Sequence, residues 1–178
     1  LSLIRQYKNE EGFRLFQPAN PMLVNGYSEM DGNSDGTDLY RGVNPATGLV
    51  VYYQLPELKA SENVSMEIKD GQGNLVHSFS SLKDTTASVP SSDPTLTKSK
   101  GLNRFVWNLR YPSIIQIPGV YIESSFRGHK ASPGKYTVTL KWGEQVTTEN
   151  FEILPNPLYP TDAKTYQEYH TTMSSMEG

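Results

Sequence analysis

What most constrains this chain is a side-chain period of two that recurs in short runs, each closed by glycine, proline or a polar cluster. Leu49, Val51, Tyr53 and Leu55 alternate with Val50, Tyr52 and Gln54, and Pro56 ends the run. Successive side chains of a strand point to opposite faces, so such alternation describes a half-buried strand. Val64, Met66 and Ile68 alternate with Ser65 and Glu67. The turn Asp70-Gly71-Gln72-Gly73 comes next, and Leu75 to Ser80 returns, so residues 63–80 read as a hairpin. Phe105, Trp107, Leu109 and Tyr111 alternate with Arg104, Val106, Asn108 and Arg110, which predicts a strand with large aromatics on one face. Tyr136, Val138, Leu140 and Trp142 alternate with Thr137, Thr139 and Lys141; Gly143-Glu144 makes a tight turn, and Val146 to Leu154 returns through Phe151 and Ile153. Residues 135–154 are therefore a second hairpin. Five or six short strands without βαβ alternation predict an all-β fold, an antiparallel sandwich spanning residues 41–155.

The phase of these runs names a core. Leu49, Val51, Tyr53, Val64, Met66, Ile68, Phe105, Trp107, Leu109, Tyr136, Val138, Leu140, Phe151 and Ile153 face inward. Burying one such side chain contributes ~1.5–3 kcal/mol. At 178 residues the chain suits one domain with tails. Residues 1–40 read as an extended arm and loop: Leu3-Ile4 and Phe13-Arg14-Leu15-Phe16 are apolar patches, and Pro18 and Pro21 break any regular element after them. The arm is expected to dock its aromatics. Residues 81–101 carry many Ser, Thr, Pro and Lys and read as an exposed, mobile connection. Residues 112–133 read as irregular, with Val120-Tyr121-Ile122 able to pair briefly. Residues 156–178 form a linker and the start of a helical segment. Thr161 is the expected cap, and Ala163, Tyr166, Tyr169 or His170, and Met173 share a face. The start at Leu1, without a charged-then-apolar leader, and the stop at Gly178 read as cuts through a longer protein, with any targeting signal outside this stretch.

Charge and composition exclude several classes. Lys+Arg is 16 against 19 Asp+Glu, a net charge of -3, which lacks the basic stripe a nucleic-acid binder needs. No apolar run approaches the ~20 residues of a membrane-spanning helix. There is no cysteine, hence no disulfide, thiol nucleophile or cysteine-ligated metal.

Chemistry-bearing residues are few. His77, His129 and His170 have no neighbouring histidine or carboxylate at metal-ligand spacing, and read as solvated or strand-surface side chains. Neither Gly-x-Ser-x-Gly nor His-Glu-x-x-His occurs. A glycosidase needs two carboxylates facing across a cleft, whereas Glu67, Asp70, Glu123, Glu149 and Glu152 are scattered over strands and turns. Tyr52, on the outward face of its strand, and Trp142, beside a turn, are available either to stack on a sugar ring or to pack against the arm, the helix or a preceding domain. The sharpest local signal is Asp31-Gly32-Asn33-Ser34-Asp35-Gly36-Thr37-Asp38. Alternating Asp and Asn oxygens followed by Gly resemble the first half of an EF-hand loop, so Asp31, Asn33, Asp35 and Asp38 are a weak calcium candidate. The twelfth position is Gly42 rather than the bidentate Glu, and a solvated Asn/Asp/Gly turn accounts for the same residues. No other cofactor is expected. Asn63-Val64-Ser65 has the form of a glycosylation sequon but opens a strand.

Several phrases occur together: Leu3-Ile4-Arg5-Gln6, Leu15-Phe16-Gln17-Pro18, Gly42-Val43-Asn44-Pro45 leading to Val51-Tyr52-Tyr53-Gln54-Leu55, Ile68-Lys69-Asp70-Gly71-Gln72-Gly73, Gly101-Leu102-Asn103-Arg104-Phe105-Val106-Trp107-Asn108-Leu109-Arg110-Tyr111, and Ala131-Ser132-Pro133-Gly134-Lys135-Tyr136-Thr137-Val138-Thr139-Leu140. In this order, over about residues 1–160, they resemble the C-terminal region of bacterial sortilin-like propeller proteins, often labelled glycosyl hydrolases with BNR (Asp-box) repeats. That family usually has Asp where Asn108 stands. Ser34-Asp35-Gly36 are contiguous, so no Asp-box is present here. The resemblance implies an immunoglobulin- or fibronectin-III-like sandwich after a propeller, with the Leu-Ile-Arg-Gln arm coming off the last blade. Any hydrolase label would attach to the propeller. The resulting expectation is a non-catalytic accessory module of a larger exported protein (periplasmic, cell-surface or extracellular). Its partner would be the preceding propeller of the same chain, with no nucleic acid and no membrane span. The alternative is a carbohydrate-binding module that holds a glycan near a propeller enzyme.

Overall fold

The computed structural model describes residues 6, 12–24, 46–82, 93–113 and 127–177. The strands are β1 (Arg14–Leu15), β2 (Leu49–Leu55), β3 (Val64–Asp70), β4 (Leu75–Ser80), β5 (Gly101–Trp107), β6 (Gly134–Trp142) and β7 (Gln145–Ile153), followed by helix α1 (Ala163–Glu177). They make one sheet of order β1-β2-β5 and a second of order β4-β3-β6-β7, with every strand pair antiparallel. The fold is an all-β sandwich with one short C-terminal helix.

The alternation sets this arrangement. Val51 lies opposite Phe105 in one sheet, and Met66 and Ile68 lie opposite Leu140 and Val138 in the other. All fourteen residues read as inward-facing are buried. Leu15, Leu55, Val76, Phe79, Leu96 and Ala131 join them in the same cluster. Trp107 is 1% exposed and takes the rings of Tyr136 and Phe151 edge-on, each 6.4 Å away. Its indole N–H donates to Arg110 O at 2.8 Å, so the one polar atom of the largest core side chain is satisfied. Both hairpins form in the expected places. Gly143 has φ 55 and opens the two-residue turn between β6 and β7, a conformation glycine adopts without a Cβ penalty. The Asp70 carboxylate accepts from the Gln72 and Asn74 backbone N–H groups and so ties the other turn.

Four sequence expectations need correction. The strand expected to run through Tyr111 begins earlier, at Gly101, and stops at Trp107. Leu109 adopts φ 59, and the Arg110 N–H bonds to Asn108 Oδ1, so an Asx turn bends the chain while the apolar–polar rhythm continues. Arg110 then bridges Lys130 instead. The connection expected to be exposed and mobile is anchored over residues 93–100. Leu96 is 4% exposed and its N–H bonds to Ser80 O. The Tyr53 hydroxyl donates to Thr97 O at 2.6 Å, and the Lys98 ammonium donates to Ala60 O and Glu62 O. The Thr97 carbonyl is the acceptor that the buried tyrosine needs, and Leu96 and Lys98 fix the segment on either side of it. The helix is capped by Asp162, whose carboxylate accepts from the Thr165 N–H at 2.7 Å; the Thr161 hydroxyl bonds to Tyr159 O instead. Finally, the described residues form seven strands, because two residues of the arm pair with β2.

The arm then changes sheet. The Phe16 N–H donates to Tyr52 O at 3.0 Å in the first sheet. Beyond it the chain runs beside β7 of the second. Asn20 Oδ1 accepts from the Glu152 N–H, the Leu154 N–H donates to Pro21 O, and the Leu23 N–H donates to Leu154 O. Phe16 is 1% exposed, and Phe13 lies 5.9 Å from the Trp142 ring.

Candidate functional site

Titratable and aromatic side chains concentrate at one end of the sandwich, where helix α1 crosses it. The site begins with backbone. The Tyr111 N–H donates to His129 O at 2.9 Å, and the Ala131 N–H donates to Leu109 O at 2.8 Å. Residues 109–111 and 129–131 are thereby held side by side. Gly128 allows the approach: a methyl group there would run into the carbonyl oxygens of Tyr111 and Pro112. Tyr136, at the start of β6, donates its hydroxyl to Ser132 O at 2.6 Å, a tyrosine corner that fixes the neighbouring turn. Burial raises the Tyr136 phenol well above the ordinary range, and the charges of Tyr111 and Asp70 push the same way.

On this frame the Tyr111 ring stacks on His129 at 4.2 Å and on His170 of the helix at 5.2 Å. His129 is 3% exposed, and its Nε2 lies 3.0 Å from His170 Nδ1. Tyr169 turns its edge to His129, and its hydroxyl accepts from the Lys130 N–H at 3.4 Å. Ser132 Oγ donates to Tyr166 O, so a third helical residue meets the sandwich. Burial, aided by the nearby Arg110 charge, lowers the Lys130 amine; that amine donates to Val24 O in the arm. Beside this cluster, between α1 and the β3–β4 turn, lies an open groove of about 880 Å³, its walls including Asp70, Asn74, Tyr111, Lys135, Tyr166 and His170.

The remaining residues singled out from the sequence fall elsewhere. Asp31, Asn33, Asp35 and Asp38 lie outside the described residues, as does Glu123. Among the described residues no three His, Asp or Glu side chains converge as a metal site. Glu67 faces Lys141 at 2.5 Å, and the hydrogen bond from that ammonium holds its carboxyl below the usual range. Asp70 ties a turn. Asn63, of the sequon, accepts from the Ser80 and Ser81 hydroxyls. Trp142 is half-buried beside Phe13, and its N–H donates to Glu62 at 3.3 Å.

The reading of the histidines as solvated is overturned for two of the three. His77 is 4% exposed, stacked on Phe79 at 4.0 Å, with Nε2 3.7 Å from Asp93. It lies opposite Ile68, on the core side of edge strand β4. Burial lowers its pKa, against the opposing effects of the Ser78 carbonyl and Asp93. The His129–His170 pair joins residues 41 apart through a helix, and no spacing in the sequence announces it. Among the described residues no helix is long and apolar enough to cross a membrane. No protein-family model matches the chain, and neither a curated protein nor a solved structure shows significant similarity to it.

Proposed function

We propose that this chain is a non-catalytic β-sandwich module of a larger exported protein, held in a fixed orientation on a preceding propeller domain by its N-terminal arm. The observation that carries the reading is the path of residues 12–24. This segment bonds first to β2 in one sheet and then beside β7 in the other. Residues 14–23 are thus hydrogen-bonded parts of the sandwich rather than a loose tether, which supports a fixed joint to a domain before them. The strand order, three and four in two sheets, fits the fibronectin-III-like sandwich that the sequence resemblance implies. Two of the carboxylates with catalytic potential are engaged in structure: Glu67 with Lys141, Asp70 with its turn. The test is turnover. The 178-residue chain is expected to leave a broad chromogenic panel of glycosidase, esterase and peptidase substrates unconverted. Activity that vanishes when one of its own carboxylates or serines is substituted overturns the reading.

One observation favours the carbohydrate-binding alternative. The groove beside α1 sets Tyr111 and Tyr166 among the amides of Gln72, Asn74 and Gln167, a combination suited to a sugar ring and its hydroxyls. Trp142, by contrast, shares the inward phase of β6 and packs against the core beside Phe13. Glycan-array binding by the wild type that is lost in Tyr166→Ala would support this alternative; a blank array would remove it.

A further inference from the structure

We propose that His129 and His170 form a proton-operated latch that holds helix α1 against the sandwich. Among the described residues the helix has few other holds. Of its residues from Ala163 to Met176, Tyr166, His170 and Met173 are half-buried and the rest are exposed, Tyr169 at 41%. Its polar attachments to the described part of the sandwich include the His129–His170 contact at 3.0 Å, the Ser132–Tyr166 bond at 3.4 Å and the Lys130–Tyr169 bond at 3.4 Å. The imidazole pair is the shortest of the three and the one with its sandwich partner deeply buried, at 3% exposure.

The geometry is that of a hydrogen bond. The ring centroids lie 5.2 Å apart and the facing nitrogens 3.0 Å apart. The difference equals about two ring radii, so the nitrogens point at one another along the line between the rings. A bond between two imidazoles needs a proton on one facing nitrogen and a lone pair on the other. The neutral pair meets this condition. The singly protonated pair meets it better, because the donor is then charged. The doubly protonated pair fails: two N–H groups and two positive charges confront each other at 3.0 Å.

Described neighbours bring aromatic faces and positive charge to the pair. Tyr111 stacks on both rings, and Tyr169 meets His129 edge-on. Lys130, the next residue, and Arg110, its bridge partner, are both cationic; the Arg110 guanidinium donates to Gly128 O. Asp70 lines the groove beyond His170 but spends its carboxylate on the Gln72 and Asn74 N–H groups and the Asn74 amide. On the helix, Glu168 faces Lys164. Acidification supplies the second proton, which the 3.0 Å contact cannot hold, and releases the helix, leaving the sandwich folded.

The test is site-resolved amide exchange of the 178-residue chain by NMR, expressed as protection factors at pH 8 and pH 5. In the wild type the amides of Tyr166 to Met173 are expected to lose protection by on the order of tenfold, while the amides of β3 and β6 keep theirs. His170→Gln preserves a donor and an acceptor but cannot take the second proton, so its helix is expected to stay docked at both pH values. A wild-type helix equally protected at both pH values overturns the latch. So does an unprotected helix at both, or an unchanged transition in His170→Gln.

Discussion

At the scale of single residues, Trp107 and His77 show what the core demands. Trp107 fills the space between the sheets and contacts Tyr136 and Phe151. Trp107→Ala leaves a cavity and removes the indole donor from the Arg110 carbonyl, and is expected to cost ~3–5 kcal/mol. Chemical denaturation that returns the wild-type midpoint would show that the indole does not sit in the core. His77 is buried as a neutral ring, with its pKa below the usual 6.5. The unfolded chain therefore binds more protons at this site, and stability rises with pH where that difference exists. Its contribution is complete above pH 6.5 and is lost as pH falls below that value toward the depressed folded pKa. Melting temperature is expected to decline on acidification through this window, and His77→Gln to flatten the decline. Identical pH profiles for both proteins would contradict the assignment.

Elements depend on features of unequal visibility. Gly128 lets residues 127–131 approach 109–112, and this approach carries His129 into place. Gly128→Ala must push two backbones apart, with an expected cost of a few kcal/mol and loss of the Tyr111–His129 stacking signature in near-ultraviolet circular dichroism; an unperturbed spectrum and melt would refute the close approach. The strands of both hairpins were legible in the sequence because period two reports the buried face directly: Val64, Met66 and Ile68 could face only one way together. Leu109 was not. Its place in the alternation is perfect, yet it sits at φ 59, where an Asn108 side-chain bond has already turned the chain. The arm's strand was invisible for another reason: two residues, Arg14 and Leu15, are too few to show a period. The latch was illegible because its two imidazoles are distant in sequence and meet only once the helix has packed.

On the scale of the whole molecule, the arm decides whether the sandwich is a rigidly joined module. Leu15 and Phe16 are buried, and residues 20–23 bond to Glu152 and Leu154 at the C-terminal end of β7. An arm whose Leu15 and Phe16 fill the core and whose backbone bonds to both sheets is part of the domain. The most direct measurement is a calorimetric melt of the chain beginning at residue 25 beside the full 178 residues. Two buried apolar side chains and their backbone bonds are worth several kcal/mol, so the shortened chain is expected to melt ~10 °C lower or more and to associate through its bared edges. A shortened chain that stays monomeric with the melting temperature of the full chain would make the arm an appendage and contradict a rigidly joined module.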